Sequence, residues 1–175
     1  PDTEDDKDKR FKAGAIVAEF RPKLQEALRK KDPAKYDEFI QTVASKRKEG
    51  AELIKQGKIE EGKKKMMEAN QYAQEADLET YLEPSEVKQI LGDDYDTYMK
   101  AVIDVMREPG QYPTKRITGE KERGQVETIS DVKFGKRLAT MPISVGYESN
   151  VSGGTKFYKY NPKTKTVEID KERSK

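Results

Sequence analysis

Ile54-Lys55-Gln56-Gly57-Lys58-Ile59-Glu60-Glu61-Gly62 decides the architecture of this chain. Before it, Tyr36, Phe39, Ile40, Val43, Ala51 and Ile54 recur at helical spacing. After it, Ile59, Gly62, Met66, Ala69, Ala73 and Ala76 do the same, with Tyr72 nearby, to about Tyr81. Gly57 supplies the left-handed residue that stops a helix, and the second periodic run starts at once. Two amphipathic helices joined by so short a turn fold back on each other, so the stretch predicts an antiparallel helical hairpin. The small residues Gly62, Ala69, Ala73 and Ala76 along one seam allow close approach. No second copy of the pattern recurs at a 34-residue or similar period, so a repeat array is not expected.

Working outward, Asp32-Pro33 provides an N-cap oxygen and a proline at the first helical position. Upstream, Ala13, Val17, Phe20, Leu24, Ala27 and Leu28 form one apolar stripe from about Lys9 to Lys31. Pro22 lies inside it, and a proline ring clashes with the preceding turn and removes a donor, so a kink or break is expected near Phe20–Arg21. Residues 1–8 read as a disordered acidic tail. Downstream, Pro84 opens a short helix carrying Val87, Ile90 and Leu91 that Gly92 closes. Asp93 or Asp94 caps another, whose Tyr95, Tyr98, Met99, Val102, Ile103 and Met106 make the cleanest helical stripe in the chain.

After Pro109 the character changes. A basic linker covers 109–122, and β-type segments follow at Gln125–Ile129, Val132–Leu138, Ile143–Tyr147, Lys156–Tyr160 and Thr164–Ile169. Asn161-Pro162-Lys163 is a turn sequence, so the last two segments predict a hairpin. The expected architecture is therefore α+β. Residues 9–108 form an elongated helical region of antiparallel hairpins, 123–170 a small antiparallel β module, and 171–175 a charged tail.

Composition narrows the chemistry. Apolar residues make up 33% of the 175 and charged residues 39%, against roughly 45–50% apolar (by a count that includes Gly) and about 25% charged in ordinary globular chains. A single large core is not expected. The chain has no Cys, His or Trp, which removes disulfides, thiolate nucleophiles, Cys/His zinc sites and imidazole acid–base catalysis. No catalytic, cofactor-binding or metal-ligating set is recognisable. Gly92-Asp93-Asp94-Tyr95-Asp96 lacks the alternating ligands of a calcium loop and reads as helix-capping acid. Ser152-Gly153-Gly154-Thr155-Lys156 lacks the order and the following helix of a phosphate loop. No stretch approaches the roughly 18–20 apolar residues of a membrane span, and the acidic N-terminal run is the opposite of a signal peptide. A soluble intracellular protein, or one incorporated in a virus particle, is expected.

The net charge of +2 hides segregated blocks. Residues 7–65 hold 18 basic and 10 acidic side chains, residues 66–108 hold 3 and 11, and residues 109–175 hold 14 and 8. Such segregation favours electrostatic docking. The candidate anion or nucleic-acid contacts are Lys46, Arg47 and Lys48, with Lys63, Lys64 and Lys65 brought to the same end by an antiparallel hairpin. Lys156 and Lys159 interleave with aromatics in a strand. The candidate protein-interaction surface is the stripe Tyr95, Tyr98, Met99, Val102, Ile103 and Met106. Together these features predict a non-enzymatic structural or adaptor protein, partnered by other subunits of a larger assembly such as a virus or phage particle. The alternative expectation is an accessory protein that binds nucleic acid nonspecifically through its lysine clusters and basic β module.

Overall fold

The computed structural model describes residues 3–106, 132–149, 151 and 153–174. The predicted linker at 109–122 and the segment Gln125–Ile129 lie outside the described residues. The fold is α+β, with long helices first and a three-stranded antiparallel sheet last. It divides into two units: Pro1–Pro22, Lys88–Val132 and Pro142–Lys175 make the first, and Lys23–Val87 with Lys133–Met141 the second.

Helix α1 (Glu4–Lys31) contributes to both. It is helical where a disordered tail was expected, and it shows no break at Pro22. Residues 4–8 are helical, because Thr3 and Asp6 form a reciprocal box: the Asp6 N–H donates to Thr3 Oγ1 (3.1 Å) and the Thr3 N–H to Asp6 Oδ2 (3.1 Å). The helix also runs unbroken through Pro22. Phe20 and Leu24, on either side of the proline, are buried at 3% and 0% exposure, so packing holds the turns that the missing hydrogen bond would release.

In the second unit, α2 (Pro33–Lys55) starts with the Asp32 carboxylate accepting from the Lys35 N–H (3.3 Å). It ends in a Schellman motif: Gly57 has φ of 86°, its N–H donates to the Ile54 carbonyl (3.0 Å), and the Lys58 N–H donates to Leu53 (2.8 Å). Helix α3 (Ile59–Ala76) then returns along α2. Ala69, Ala73 and Ala76 are buried in the seam with Phe39 and Val43, and the Phe39 and Tyr72 rings stack at 5.5 Å. Nearer the turn the seam runs through Gly50, with the Ile54 side chain lying against Gly62 while still 37% exposed; Ala51 is exposed. A Cβ on Gly62 would lie 2.7 Å from the Gly50 carbonyl oxygen and 3.1 Å from the Ile54 nitrogen, so two glycines set the interhelical distance.

A two-residue ladder follows, β1 (Tyr81–Leu82) pairing antiparallel with β2 (Phe134–Gly135). Between them in sequence lies α4 (Pro84–Leu91). The strand expected over Val132–Leu138 is cut short: after β2 the chain forms a helical turn at Lys136–Thr140. Asp77 causes the change. Its Oδ1 accepts the Arg137 N–H at 2.9 Å and so caps a turn whose own sequence supplies no cap, and only glycine at 135 lets the Asp77 backbone approach. Lys136 is buried, lies over the Phe39 ring and reaches Glu79 at 3.1 Å.

In the first unit, a 3-10 turn (Gly92–Asp94) leads into α5 (Tyr95–Met106). The sheet has the order β3 (Gly146–Glu148), β4 (Thr155–Asn161), β5 (Thr166–Ile169), all antiparallel, with Gly146 opposite Phe157 and Tyr158 opposite Ile169. The predicted C-terminal hairpin forms at its expected turn, where Asn161 Oδ1 accepts the Lys163 N–H at 2.9 Å. Ala13, Ala15, Val17 and Phe20 of α1, Tyr98, Met99 and Val102 of α5, and Tyr147, Tyr158 and Tyr160 of the sheet fill this unit's core. Phe20 meets Tyr98 edge-on at 6.3 Å and Tyr160 at 5.4 Å.

The glycine seam yields a prediction opposite in sign to helix propensity. Gly→Ala within a helix ordinarily stabilises by about 0.5–1 kcal/mol. Gly62→Ala should instead lower stability by about 1–3 kcal/mol, the usual cost of overpacking. Urea denaturation followed by far-UV circular dichroism measures the difference, and unchanged or raised stability would show that the helices can separate freely.

Candidate functional site

The hairpin end formed by α2 and α3 carries most of the candidate anion contacts. Lys46–Lys48 precede Gly50, Lys63–Lys65 follow Gly62, and the two glycines touch, so both triplets lie within about 6 Å of one level at 1.5 Å per residue. Lys65 Nζ confirms the pairing: it lies 3.4 Å from Glu49 on α2 and 3.4 Å from Glu68 on its own helix. Those two carboxylates hold the Lys65 ammonium above its ordinary pKa, Glu68 first by charge and Glu49 next by hydrogen bonding. Arg47 is half-buried, and desolvation lowers its pKa. Lys48, Lys63 and Lys64 are exposed and Lys46 half-exposed, and among the described residues none of the four has an ion-pair partner. Ile54 and Ile59 flank the turn at 37% and 43% exposure.

The remaining sequence candidates are placed differently. Lys159 is exposed on the outer face of β4. Lys156 points to the inner face, where its ammonium lies 3.7 Å from Glu4 and 3.9 Å from Asp8. It is thus engaged by the chain's own carboxylates. The stripe Tyr95, Tyr98, Met99, Val102, Ile103 and Met106 is not an outward surface. Tyr98, Met99 and Val102 are buried in the first unit's core, Tyr95 and Ile103 are half-buried, and only Met106 is exposed. The cleanest amphipathic stripe is turned into the unit's core, where Tyr98 meets Phe20 edge-on.

A cluster that the sequence reading missed lies in the first unit. Glu4 and Asp8, one helical turn apart on α1, meet the inner face of the sheet. The Tyr147 hydroxyl donates to Glu4 Oε1 (3.1 Å) and to Asp8 Oδ1, the Tyr158 hydroxyl donates to the same Asp8 oxygen, and the Ser149 hydroxyl donates to Glu4. Phe11 stacks on Tyr147 at 5.1 Å, and the Lys12 ammonium sits 5.6 Å over the Tyr158 ring. The Ser149 hydroxyl, then Tyr147 and Lys156, hold the Glu4 carboxyl below its usual range. Burial is the largest single influence on Asp8 and pushes it up, but the Tyr147 and Tyr158 hydroxyls with Lys156 and Lys12 outweigh it and the net shift is downward. Burial, then hydrogen bonding to Asp8, raises both tyrosines. Chemically this is a clamp. Both carboxylates are occupied as acceptors, and the hydroxyls are spent as donors. The available signal was the i, i+4 spacing of Glu4 and Asp8 in an apparently unstructured tail.

Among the described helices, none is long and apolar enough to cross a membrane. No protein-family model, curated protein or solved structure matches the chain.

The clamp predicts a stability optimum bounded on both sides. Glu4 and Asp8 have folded pKa values below their unfolded ones, so their contribution is complete above about pH 5.5 and is lost as the pH falls through the folded values. Tyr147 and Tyr158 are shifted upward, so their contribution holds below about pH 10 and declines as the pH rises beyond it. Denaturation midpoints followed by tyrosine fluorescence should fall at both extremes. Asp8→Asn should flatten the acid limb, and an unchanged acid limb in that variant would place the pH dependence elsewhere.

Proposed function

We propose that the protein is a non-enzymatic structural or adaptor component that docks into a larger macromolecular assembly, of the kind built by virus particles and other multisubunit machines. The observation that carries this reading is the hairpin end. Four lysines are held at one level by two closely packed helices, and among the described residues none of them has an ion-pair partner. Like charges at such spacing repel by a few tenths of a kcal/mol per pair, and a partner of opposite charge turns that cost into affinity. The rest of the molecule supports the same reading. The apolar stripes are spent on the two units' own cores, and the carboxylates of the α1 clamp are engaged by hydroxyl donors.

Native mass spectrometry of the protein purified gently from its source tests the proposal. The expected result is a complex of defined stoichiometry from which a variant with Lys46, Lys48, Lys63 and Lys64 changed to Gln is released. A free 20.0 kDa monomer in both cases would overturn it.

A further inference from the structure

Resting on the docking reading, and naming what the same hairpin end docks onto, we infer that its partner is the phosphate backbone of a nucleic-acid duplex. Three features point to phosphate. First, the cations are concentrated: from 46 to 68 the hairpin carries eight basic and five acidic side chains. Two of the acids, Glu49 and Glu68, share the single Lys65 ammonium, and the net charge over these residues is +3. Glu60 and Glu61 occupy the first turn of α3, where the helix N-terminus attracts negative charge, which leaves Glu52 as the acid with no such local compensation.

Second, the side chains are of the wrong type for a protein interface. Cores of protein interfaces are depleted in Lys and enriched in aromatic residues and Arg. No aromatic residue occurs from 44 to 71, and the exposed cations Lys48, Lys63 and Lys64 are all lysines. The exposed apolar groups nearest the turn, Ile54 and Ile59, are single side chains of the sort any soluble surface carries. Point charges on flexible stems, without stacking groups, suit phosphates and carry no means of reading base sequence.

Third, the geometry is held. Lys46 and Lys48 come from one helix and Lys63 and Lys64 from the other, and the Gly50–Gly62 contact keeps their backbones at a fixed spacing. Duplex nucleic acid offers one charge per about 1.7 Å of axis, so four lysines at one level find phosphates without requiring a particular register. Binding is therefore independent of base sequence and strongly dependent on salt.

The test uses the full chain and a fluorescein-labelled duplex of random sequence, followed by fluorescence anisotropy between about 50 and about 200 mM salt. Affinity should fall with salt at a log–log slope of roughly −0.9 per phosphate contact. Changing Lys46, Lys48, Lys63 and Lys64 to Gln should remove most of that slope and at least about tenfold of the low-salt affinity. Arg at the same four positions should retain binding, and Ile54→Ser with Ile59→Ser should alter it less than about twofold. No binding at the lower salt, an unaffected Gln variant, or an isoleucine variant as weak as the lysine one would overturn the inference. Nuclease treatment of the native complex separates the two levels. Release of the protein supports phosphate as the partner. A complex that survives nuclease but is lost in the Gln variant leaves the docking reading standing and removes the phosphate one.

Discussion

The inner face of the small sheet is built from tyrosines, and the first unit depends on what their hydroxyls require. Tyr147, Tyr158 and Tyr160 occupy positions where a shorter aliphatic side chain would satisfy burial alone. With apolar residues so scarce in the chain, each tyrosine contributes a large ring to a thin core at the cost of a polar tip that needs a partner. Glu4 and Asp8 supply acceptors for two of those tips. The acidic stretch is therefore helical from Glu4, with the Glu4 and Asp8 carboxylates facing the sheet. The rest of the unit follows from that placement: Phe11 lies against Tyr147, Ala15 is buried beside Tyr147 and Tyr158, and Phe20 fits against Tyr98 and Tyr160.

Charge segregation along the chain is partly discharged within each unit. In the second unit Lys31 from the basic block reaches Glu86 in the acidic one at 2.8 Å, and Lys136 from the third block reaches Glu79. In the first unit Lys165 lies 3.7 Å from Asp94, and Lys156 meets Glu4 and Asp8. Exposed pairs such as Lys31–Glu86 contribute little, about 0–1 kcal/mol, so they select arrangements more than they stabilise them. Of the hairpin lysines, Lys46, Lys48, Lys63 and Lys64 stand outside this pairing among the described residues. They belong to the most basic block and lie on the part of α2 and α3 whose buried groups in the seam are glycines.

Much of the fold was legible because local rules and tertiary packing agreed. Gly57 stopped α2, Asp32-Pro33 started it, and Asn161-Pro162-Lys163 turned the last hairpin, each through chemistry confined to a few neighbouring residues. The misreadings occur where the deciding group lies far away in sequence. Asp77 caps a turn sixty residues downstream. Tyr147 and Tyr158 recruit an acidic segment more than a hundred residues upstream. Pro22 is tolerated because Phe20 and Leu24 are anchored on both sides of it. Of the candidate sites, the lysine triplets were legible since an antiparallel hairpin fixes their level once its turn is known. The α5 stripe was misread because periodicity reveals an apolar face without revealing what covers it.

The order of segments in the two units bears on how the chain is made. Neither unit is contiguous: the second is completed by Lys133–Met141, and the first joins residues near the start of the chain to strands near its end. A ribosome that has released α1, α2 and α3 has not yet supplied Phe134 and Leu138, which are buried in the second unit. Glu4 and Asp8 must wait still longer, until Tyr147 and Tyr158 emerge. Contacts of such long range make folding slow relative to helical proteins rich in local contacts. During that interval the helical hairpin, assembled from neighbouring residues, is the part of the nascent chain able to form first.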